Sequence, residues 1–499
     1  MEQRRGVGVL AAVFVVWAVA AAVPSGPVGA TTATWVLEEN ARPGTTAWKI
    51  PNDAPADIQG YADHVSAIRD MRVRLFVDTP AATFHVEAYR LGYYGGLGGR
   101  SIWVSREITG TRQPAPTVDE DTLMVEAAWS RSMTFRVRRS WVQGSYLLKL
   151  VASTGGQSYV PIVIRDDTST AALLIQHQAF TWQAYNAWGG ASLYHGATGF
   201  ESRSRVVSFD RPYEGRGAAG MLKTLALIAM VERGGMDVTY WTDLDLHLRP
   251  QLLTQHRALV LLNHDEYWST AMRRGVETAR GAGVNLVNLG ANAVYRHVRL
   301  EDSPLGRQRR VVAYKVVTED PLYGVDNDEV TVNWRDLPLD EPESALLGAM
   351  YECYGVDHAD MVIVDADAWA FAGSGVADGT HIPGAVDAEY DRVFPDEPTP
   401  ANIQVLAHSP VACHEEPSMA DMTYYTAESG AGVVDVGSIG WLWTLRCGKP
   451  VSGSWCSPAS QAITRTILTQ AAAGPLGEAH PAEPNAASFG YVLTDPTVP

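Results

Sequence analysis

The chain has few cysteines and few charged side chains for its length. Only four of its 499 residues are cysteine and 19% are charged, whereas 46% are hydrophobic. This composition is too apolar for a disordered chain, and the length allows two or three packed cores. Basic side chains are the scarcer charge, 39 against 56 acidic ones, which gives a formal net charge of -17. Long-range attraction to nucleic acid or to anionic lipid is therefore disfavoured, and no nucleic-acid partner is expected.

Two widespread functional motifs are missing. The sequence contains neither the G-x-S-x-G elbow of serine hydrolases nor the G-x-x-x-x-G-K-[ST] loop of nucleotide-binding proteins. A glycine cluster, Leu91 to Arg100, follows a strand pattern without a helix pattern after it, so we expect a turn there. The cysteines lie away from the strand ends considered below, which argues against a thiol nucleophile.

Long apolar runs are missing after the N-terminus. Arg4 and Arg5 precede an apolar run from Val7 to Val23, and the small residues Val28 to Ala30 follow, which is typical of a signal peptide and its cleavage site. We expect residues 1–30 to be removed and the mature protein to be secreted or extracytoplasmic. An uncleaved membrane anchor is the alternative, because the run is at the lower limit for crossing a bilayer.

The four cysteines favour disulfides, since their number is even and export is expected. Cys447 and Cys456 flank a short loop rich in Gly, Pro and Ser and are predicted to pair, which leaves Cys353 with Cys413. A zinc site is the alternative, but His414 is the only histidine near them that supports it.

Residues 31–166 have the pattern of a β-sandwich. Short β-branched and aromatic runs alternate with turn residues, as in the strands of such domains. The predicted strands are Val73 to Thr79, Thr83 to Leu91, Ser132 to Arg139, Ser145 to Ser153 and Tyr159 to Asp166.

Residues 171–475 have a different pattern, in which strands alternate with helices. This order predicts a doubly wound parallel sheet, separated from the first domain by the linker Asp166 to Thr170 and followed by a tail, residues 476–499. The predicted elements are strands Ala172 to His177, Val238 to Trp241, Ala258 to Asn263 and Val284 to Gly290, and helices Met221 to Gly235 and Trp268 to Gly283.

Three of these strands end in polar or ionisable residues. Ligands of open parallel sheets bind beyond the carboxyl ends of the strands, so neighbouring strands would bring such residues to one crevice. The candidates are Tyr185, His264, Glu266 and Asn292. Phenolate and carboxylate oxygens with an imidazole nearby suit a hard cation such as ferric iron.

Several short blocks follow one another along the mature chain: EN (Glu39, Asn40), PGT (Pro43 to Thr45), YRLGYYGG (Tyr89 to Gly96), TWQAYNAWGG (Thr181 to Gly190), NHDEYWS (Asn263 to Ser269), GAN (Gly290 to Asn292) and GSIGWLW (Gly437 to Trp443). In this order they resemble the large (beta) subunit family of N,N-dimethylformamidase. The resemblance implies a β-sandwich joined to a glutamine-amidotransferase-like α/β domain. It also implies a mononuclear Fe(3+) held by two tyrosines and one glutamate, and hydrolysis of a formamide C–N bond.

The resemblance assigns metal ligands to this sequence. Glu266 in HDEYW matches the ligand glutamate and Tyr185 in QAYN matches one ligand tyrosine. The second tyrosine is expected in the β-rich half, and we assign it to Tyr146 at the start of a strand. The alternatives are Tyr93, Tyr94 and Tyr194.

The resemblance also implies catalytic residues and partners. His264 would move protons, Asn292 would hold the substrate carbonyl, and Glu389 in DAEYD resembles a second active-site carboxylate, although the family's usual Gly-Tyr does not precede it here. The expected partner is a small amide. A homo-oligomer is compatible with the sequence, and the need for a small subunit is left open.

Each candidate also has a purely structural explanation. Tyr185 is close in sequence to Trp182 and would pack against it. Glu266 would cap the helix that begins near Trp268, since acidic groups are favoured at helix N-termini. Glu389 would be a solvated carboxylate in an acidic loop.

Two other functions are compatible with the same residues. The first is a non-catalytic exported protein whose 15 tryptophans bind carbohydrate or another ligand. The second is a glycoside hydrolase, which needs two facing acids, and Glu266 with Glu389 or Asp265 would supply them. The main hypothesis is a secreted iron-dependent hydrolase of a small amide or formamide.

Overall fold

The computed structural model describes residue 1, residues 32–218 and residues 220–497. The predicted signal peptide, apart from Met1, lies outside the described residues. The described chain has a β-rich mixed fold, in agreement with the class predicted from sequence. None of the helices in the described ranges has the length and apolar character needed to cross a membrane.

The elements are numbered in chain order. The strands are β1 Gln59–Ala62, β2 Ser66–Ala67, β3 Arg72–Asp78, β4 Thr83–Leu91, β5 Gly99–Val104, β6 Ile108–Thr109, β7 Thr117–Val118, β8 Val125–Glu126, β9 Met133–Arg136, β10 Gly144–Ala152, β11 Gln157–Ile164, β12 Leu173–His177, β13 Val206–Ser208, β14 Val238–Thr242, β15 Ala258–Asn263, β16 Tyr267–Trp268, β17 Asn285–Gly290, β18 Arg296–His297, β19 Arg299–Ser303, β20 Gly306–Val312, β21 Met350–Val362, β22 His381–Arg392, β23 Thr399–Pro400, β24 Gln404–Cys413, β25 Glu416–Thr426, β26 Gly432–Asp435 and β27 Pro496–Thr497. The α-helices are α1 Thr34–Asn40, α2 Ala179–Ala184, α3 Leu225–Arg233, α4 Asp243–Leu248, α5 Thr270–Gly281, α6 Ser344–Leu347, α7 Trp441–Thr444, α8 Pro458–Ala473 and α9 Leu476–Ala479.

Two antiparallel-rich sheets of the N-terminal part enclose one apolar core. One sheet has the order β1-β3-β9 and the other the order β2-β11-β10-β4-β5, with β6 beside β4. Alternate side chains of β3 and β4, such as Val73, Leu75, Val86 and Ala88, are buried between them. Burial of every second side chain on each strand holds the two sheets face to face.

A seven-stranded sheet of order β14-β12-β15-β17-β26-β25-β24 forms the centre of the C-terminal part. The first five strands are parallel, as the alternation of strands and helices predicts. The last two are antiparallel and were not predicted. Strands β15 and β17 are buried along their whole length, which explains their continuous apolar runs.

Strands β12, β15 and β17 are direct neighbours, so their carboxyl ends meet at one edge of the sheet. Gly290 at the end of β17 lies against the end of β15. A Cβ atom at Gly290 would come within 1.9 Å of the carbonyl oxygen of Asn263. Only glycine permits this approach, which is why the GAN block begins as it does.

The two disulfides join Cys353 to Cys413 and Cys447 to Cys456, which confirms the predicted pairing. The first connects β21 to the end of β24. The second closes a short loop before α8, since its two cysteines are nine positions apart in sequence. Sulfurs bonded to each other are not thiolate ligands, so the zinc alternative does not describe these cysteines.

A buried ion pair connects the N-terminal part to the C-terminal part. Arg90 on β4 donates to both carboxylate oxygens of Glu232 on α3, at 2.9 and 2.6 Å, and both side chains are fully buried. Asn40 and Tyr240 also donate to this carboxylate, each at 2.8 Å. A Cβ atom at Gly92 would lie 2.4 Å from it. The EN and YRLGYYGG blocks therefore form a structural contact between the two parts.

Candidate active site

The carboxylate of Glu266 accepts hydrogen bonds from two tyrosines. The hydroxyl of Tyr185 lies 3.0 Å from Oε2, and the hydroxyl of Tyr194 lies 2.6 and 2.8 Å from Oε1 and Oε2. The two phenol rings are stacked, with centroids 4.3 Å apart. Three oxygen-bearing side chains thus converge on one point just beyond β15.

Local structure positions the two tyrosines. Tyr185 directly follows α2, the short helix after β12, and its backbone NH donates to the carbonyl of Thr181. Its ring is 41% exposed, whereas its hydroxyl points inward. Tyr194 lies in the next loop, and its backbone NH donates to the hydroxyl of Ser192. The backbone NH of Leu193 donates to the carbonyl of Ala184, which ties this loop to the end of α2.

The structure does not bring Tyr146 to this cluster, which corrects its assignment as the second tyrosine. Tyr146 lies in the core of the N-terminal part, its hydroxyl donates to the carbonyl of Val142 at 2.6 Å, and its ring stacks on Trp141. An apolar core places Tyr146 between the sheets because its ring is large and a backbone acceptor is close by. Tyr194, one of the alternatives, lies beside Glu266 instead. Tyr93 and Tyr94 belong to the glycine-rich turn after β4.

Three other predicted site residues, His264, Asn292 and Glu389, also lie beside Glu266. Nε2 of His264 lies 3.2 Å from Oε2 of Glu266 and 3.2 Å from Oε2 of Glu389. The Asn292 amide nitrogen lies 3.1 Å from the same His264 nitrogen and donates to Glu389 at 2.7 Å. Glu389 comes from β22, which is remote in sequence, and it is largely buried rather than a solvated loop residue.

The helix-capping explanation for Glu266 does not agree with the structure. Helix α5 begins at Thr270, and its N-cap is Ser269, whose hydroxyl accepts from the backbone NH of Met272. The Glu266 carboxylate instead accepts hydrogen bonds from two tyrosines and lies within ion-pair distance of His264 and Arg296.

Opposing charges determine the ionisation of the cluster. Burial alone would raise the pKa of Glu266, but a hydrogen bond from His264 and the charges of His264, Lys315 and Arg296 bring this pKa below its ordinary value. Burial alone would lower the pKa of His264, but Glu389 and Glu266 raise it. Burial raises the pKa of Glu389. The neighbouring charges therefore favour the ionised form of Glu266 and stabilise a proton on His264.

Sequence reasoning missed three side chains that contact this cluster. The Tyr267 hydroxyl donates to that of Tyr194 at 2.8 Å. Nε of Arg296 lies 3.4 Å from Glu266, and Nζ of Lys315 lies 3.1 Å from the centre of the Tyr194 ring. The chain beyond β15 directs the side chain of Asp265 away from this cluster but not that of Tyr267. No motif marks Arg296 or Lys315.

Asp265 points to the opposite side of the strand end. Its carboxyl accepts from Nε2 of Gln176 at 2.6 Å, and the residue is 1% exposed. Burial raises its pKa to about 7. The glycoside-hydrolase hypothesis requires a second acid that faces Glu266. Asp265 does not supply it, because its carboxyl points to the other side of the strand end.

A buried pair of carboxyl groups supports the backbone behind this site. Asp391 accepts from the backbone NH of Asn292 at 2.8 Å, where the backbone of Asn292 is left-handed, with φ of 51°. Asp435 accepts from Asn288 and from the NH of Gly437, both at 2.9 Å. The two carboxyls lie close enough for each to affect the pKa of the other. Because two carboxylates in contact do not both ionise when buried, the pair holds one shared proton.

The shared proton predicts a stability that falls as pH rises. Burial, and then the neighbouring Asp435, raise the pKa of Asp391, and burial raises that of Asp435 from 3.8 to about 7. Between these values the folded protein holds at least one proton more than the unfolded chain, so stability decreases by at least about 1.4 kcal/mol per pH unit. We expect Asp435→Asn to make this slope shallower, because one raised carboxyl is removed while the buried Asp391 remains, and urea unfolding between pH 4.5 and 7.5 will measure the change.

The matched control is Asp360→Asn, a partly exposed carboxyl on β21, which should keep the wild-type slope. Glu343 and Arg335 are the other charged groups that act on Asp391, and both are unchanged in the two variants. Asp265 contributes a slope of its own in every variant. Parallel curves for wild type and Asp435→Asn would show that the pair holds no shared proton.

The donor set of the cluster fits a ferric ion. Two phenolic oxygens and one carboxylate are hard ligands, and three ligand charges match a trivalent cation. Tyr185, Tyr194 and Glu266 present these oxygens within hydrogen-bond distance of one another. Arg296 lies beside Glu266 and offsets part of its negative charge, and Lys315 lies over the Tyr194 ring.

Comparisons with known proteins identify one family. Residues 85–454 match the protein family described as N,N-dimethylformamidase beta subunit-like, C-terminal. A search of curated proteins found no similar sequence.

Solved structures show only weak similarity. A cycloisomaltooligosaccharide glucanotransferase from Paenibacillus sp. aligns with TM-score 0.15 and 10% identity over 42% of this chain and 21% of its own. Murine CEACAM1b aligns with TM-score 0.13 and 13% identity over 24% and 62%, and Cwp6 from Clostridium difficile with 0.13 and 9% over 47% and 37%. This chain thus spans less than two thirds of each, and these TM-scores carry no argument.

Proposed function

Since the chain belongs to the N,N-dimethylformamidase beta subunit-like family, we propose that it is an iron-dependent hydrolase of the C–N bond of a small amide or formamide. The observation that carries this proposal is the meeting of two tyrosine hydroxyls on the Glu266 carboxylate, with His264, Glu389 and Asn292 beside it.

Tyr185, Tyr194 and Glu266 would hold the iron. When bound, the ion supplies a Lewis acid that polarises an amide carbonyl and acidifies water. Binding replaces the two phenolic protons that now point at Glu266. The site needs no large movement for this exchange, because the three oxygens already face one another.

Other side chains would position substrate and move protons. Glu389 lies within reach of His264, so Nε2 of His264 can give its proton to the leaving nitrogen while Oε2 of Glu389 accepts a proton from water. The side-chain nitrogen of Asn292 donates to Glu389, whereas its side-chain oxygen has no partner among the described residues. This side chain would therefore orient the amide group of the substrate. The left-handed backbone at Asn292 and Asn263 aims both side chains at the crevice.

Several further features belong to this proposal. We propose that the two parts of the chain are a β-sandwich and a glutamine-amidotransferase-like domain, with boundaries at residues 31–166, 171–475 and 476–499. We also propose that the protein is secreted, which its two disulfides favour. The family's beta-subunit description supports a small partner subunit.

The test is metal content with a visible spectrum and an amide hydrolysis assay. The purified protein should contain one iron per chain and be coloured, because tyrosinate bound to ferric iron absorbs visible light. Tyr185→Phe and Tyr194→Phe should each weaken or shift this absorption and lower hydrolysis. Tyr146→Phe is the matched control, since it removes a buried tyrosine hydroxyl outside the cluster.

The possible results are distinct. Bleaching by Tyr146→Phe with unchanged colour in Tyr194→Phe would overturn the ligand assignment. A wild-type protein without bound metal and without activity on any amide would reject the enzyme and favour the non-catalytic ligand-binding alternative. Sugar release instead of amide hydrolysis would favour the glycoside hydrolase.

A further inference from the structure

A cavity of about 380 Å³ opens onto the proposed catalytic residues. Tyr185, His264 and Glu389 form part of its lining. Its volume lies in the range of about 300 to 1,000 Å³ that is usual for sites of drug-sized ligands. A formamide with two methyl groups would fill only a small part of it. The cavity therefore has room for a much larger substituent on the amide.

Aromatic side chains form the walls of this cavity beyond the catalytic residues. Trp182, Tyr213 and Trp443 line it together with Ile439. The rings of Trp182 and Tyr213 meet edge to face, with centroids 6.4 Å apart. Such walls bind flat or apolar groups through buried area and ring contacts. They indicate that the substituent is apolar or aromatic.

Two cations without anionic partners lie at the Trp443 side of the cavity. Lys223 lines it with an exposed side chain, and within the described residues no carboxylate lies within 4.0 Å of its ammonium and no acceptor bonds it. Arg446 stacks on Trp443 at 4.1 Å, and its Nε is buried without a partner. Glu214 also lines the cavity but is exposed and forms no ion pair with Lys223 in the described chain. Unpaired cations in an acidic protein favour an anion at this position.

Buried polar groups of the lining also lack partners. Gln178 and Asn263 are 1% and 6% exposed, yet neither side-chain amide makes a hydrogen bond within the described residues. Buried polar groups normally have partners, so these two amides are available to bond a polar ligand in the cavity. Asn263 directly precedes His264, so an amide group of a substrate can meet it beside the catalytic residues.

We propose, on the basis of the function proposed above, that the substrate is an N-acyl amine bearing an apolar or aromatic group and a carboxylate, as in an N-formyl or N-acyl amino acid. Its carboxylate binds Lys223, its side chain packs on Trp182 and Trp443, and its amide meets Gln178 and Asn263. Water adds its OH to the acyl carbon and its hydrogen to the nitrogen as the C–N bond breaks. The products are a carboxylic acid and a free amino acid.

The experiment compares N-formylphenylalanine with N-formylphenethylamine, which lacks only the carboxylate. The wild-type protein should have a kcat/KM at least about tenfold higher for the anionic compound, since a charged hydrogen bond is worth that much or more. Lys223→Met should reduce this ratio about tenfold or more, mainly through KM, and Lys223→Arg should retain it. Lys449→Met removes an exposed lysine that lines another pocket and should leave the ratio unchanged.

Binding is measured separately, by quenching of tryptophan fluorescence with each compound. Tight binding of N-formylphenylalanine that Lys223→Met weakens, without any hydrolysis, would support the substrate site and reject the proposed enzyme. Hydrolysis of both compounds with equal kcat/KM would support the enzyme and overturn the anionic substrate. An equal loss for both compounds in Lys223→Met would also overturn it.

Discussion

Glu266→Gln is expected to lose both the bound metal and at least about a thousandfold in amide hydrolysis. Polarisation of a carbonyl by a metal ion contributes several kcal/mol, and each 1.4 kcal/mol corresponds to a factor of ten in rate. The substitution keeps the shape of the side chain but replaces a carboxylate oxygen by an NH₂ group. That group would face the Arg296 guanidinium or the His264 imidazole, both of which are donors here.

The adjacent carboxyl provides the matched control for this prediction. Asp265→Asn changes a neighbouring acid that faces Gln176 on the other side of the strand end. Because burial raises the pKa of Asp265 to about 7, a neutral amide is a close substitute for it near neutral pH. The control should keep iron and most of the activity. Iron content and kcat/KM, measured for both variants, test whether Glu266 holds the metal. Wild-type colour and rate in Glu266→Gln would contradict its assignment as a metal ligand.

Glu232→Ala is expected to lower the free energy of unfolding by about 3 to 5 kcal/mol. The substitution leaves the Arg90 guanidinium buried without its counter-charge, and removing one partner of a buried pair has an effect of this size. Asn40 and Tyr240 also lose their acceptor. Urea unfolding, followed by tryptophan fluorescence, measures the change.

Two further variants make this prediction specific. Glu38→Ala removes an exposed glutamate from α1 and should unfold with the wild type. Arg90→Met with Glu232→Met removes both charges, so it should be less destabilised than the sum of the two single variants. If Glu232→Ala unfolds at the same urea concentration as Glu38→Ala, the buried pair does not hold the two parts together.

The regular elements could be predicted because their signals are local. Strands Thr83–Leu91 and Ala258–Asn263 begin and end where the apolar and β-branched runs do. The helix after the second of these strands was predicted at Trp268 and begins at Thr270, since Ser269 is the N-cap. Period and capping are properties of adjacent residues, so a single sequence displays them.

The antiparallel strands at the edge of the large sheet were not predicted. Strands β24 and β25 form a long hairpin that continues the parallel sheet beyond β26. Burial alternates only toward the outer end of β24, and β25 passes from two exposed residues at its start to a continuous buried run. Pairing direction depends on which strand lies next to which, and local pattern does not encode that choice.

The same division applies to the site. His264, Glu266 and Asn292 were found because they follow strands that are neighbours in a parallel sheet. Tyr146 was chosen over Tyr194 because the second tyrosine was expected in the β-rich half, and nothing in the neighbouring residues indicates which hydroxyl reaches Glu266. Arg296 and Lys315 have no motif because a single cation that balances a carboxylate needs no particular neighbours.

By itself, the sequence determined the β-rich mixed class, the disulfide pairing across a short loop, and the polar ends of Leu173–His177, Ala258–Asn263 and Asn285–Gly290. Only the tertiary structure decided that Tyr194 rather than Tyr146 meets Glu266, that Glu389 reaches His264 from β22, and that Lys223 lies unpaired in the cavity. The reason is physical. Local pattern records which faces of an element are buried, whereas the meeting of side chains distant in sequence depends on how loops and sheets pack together.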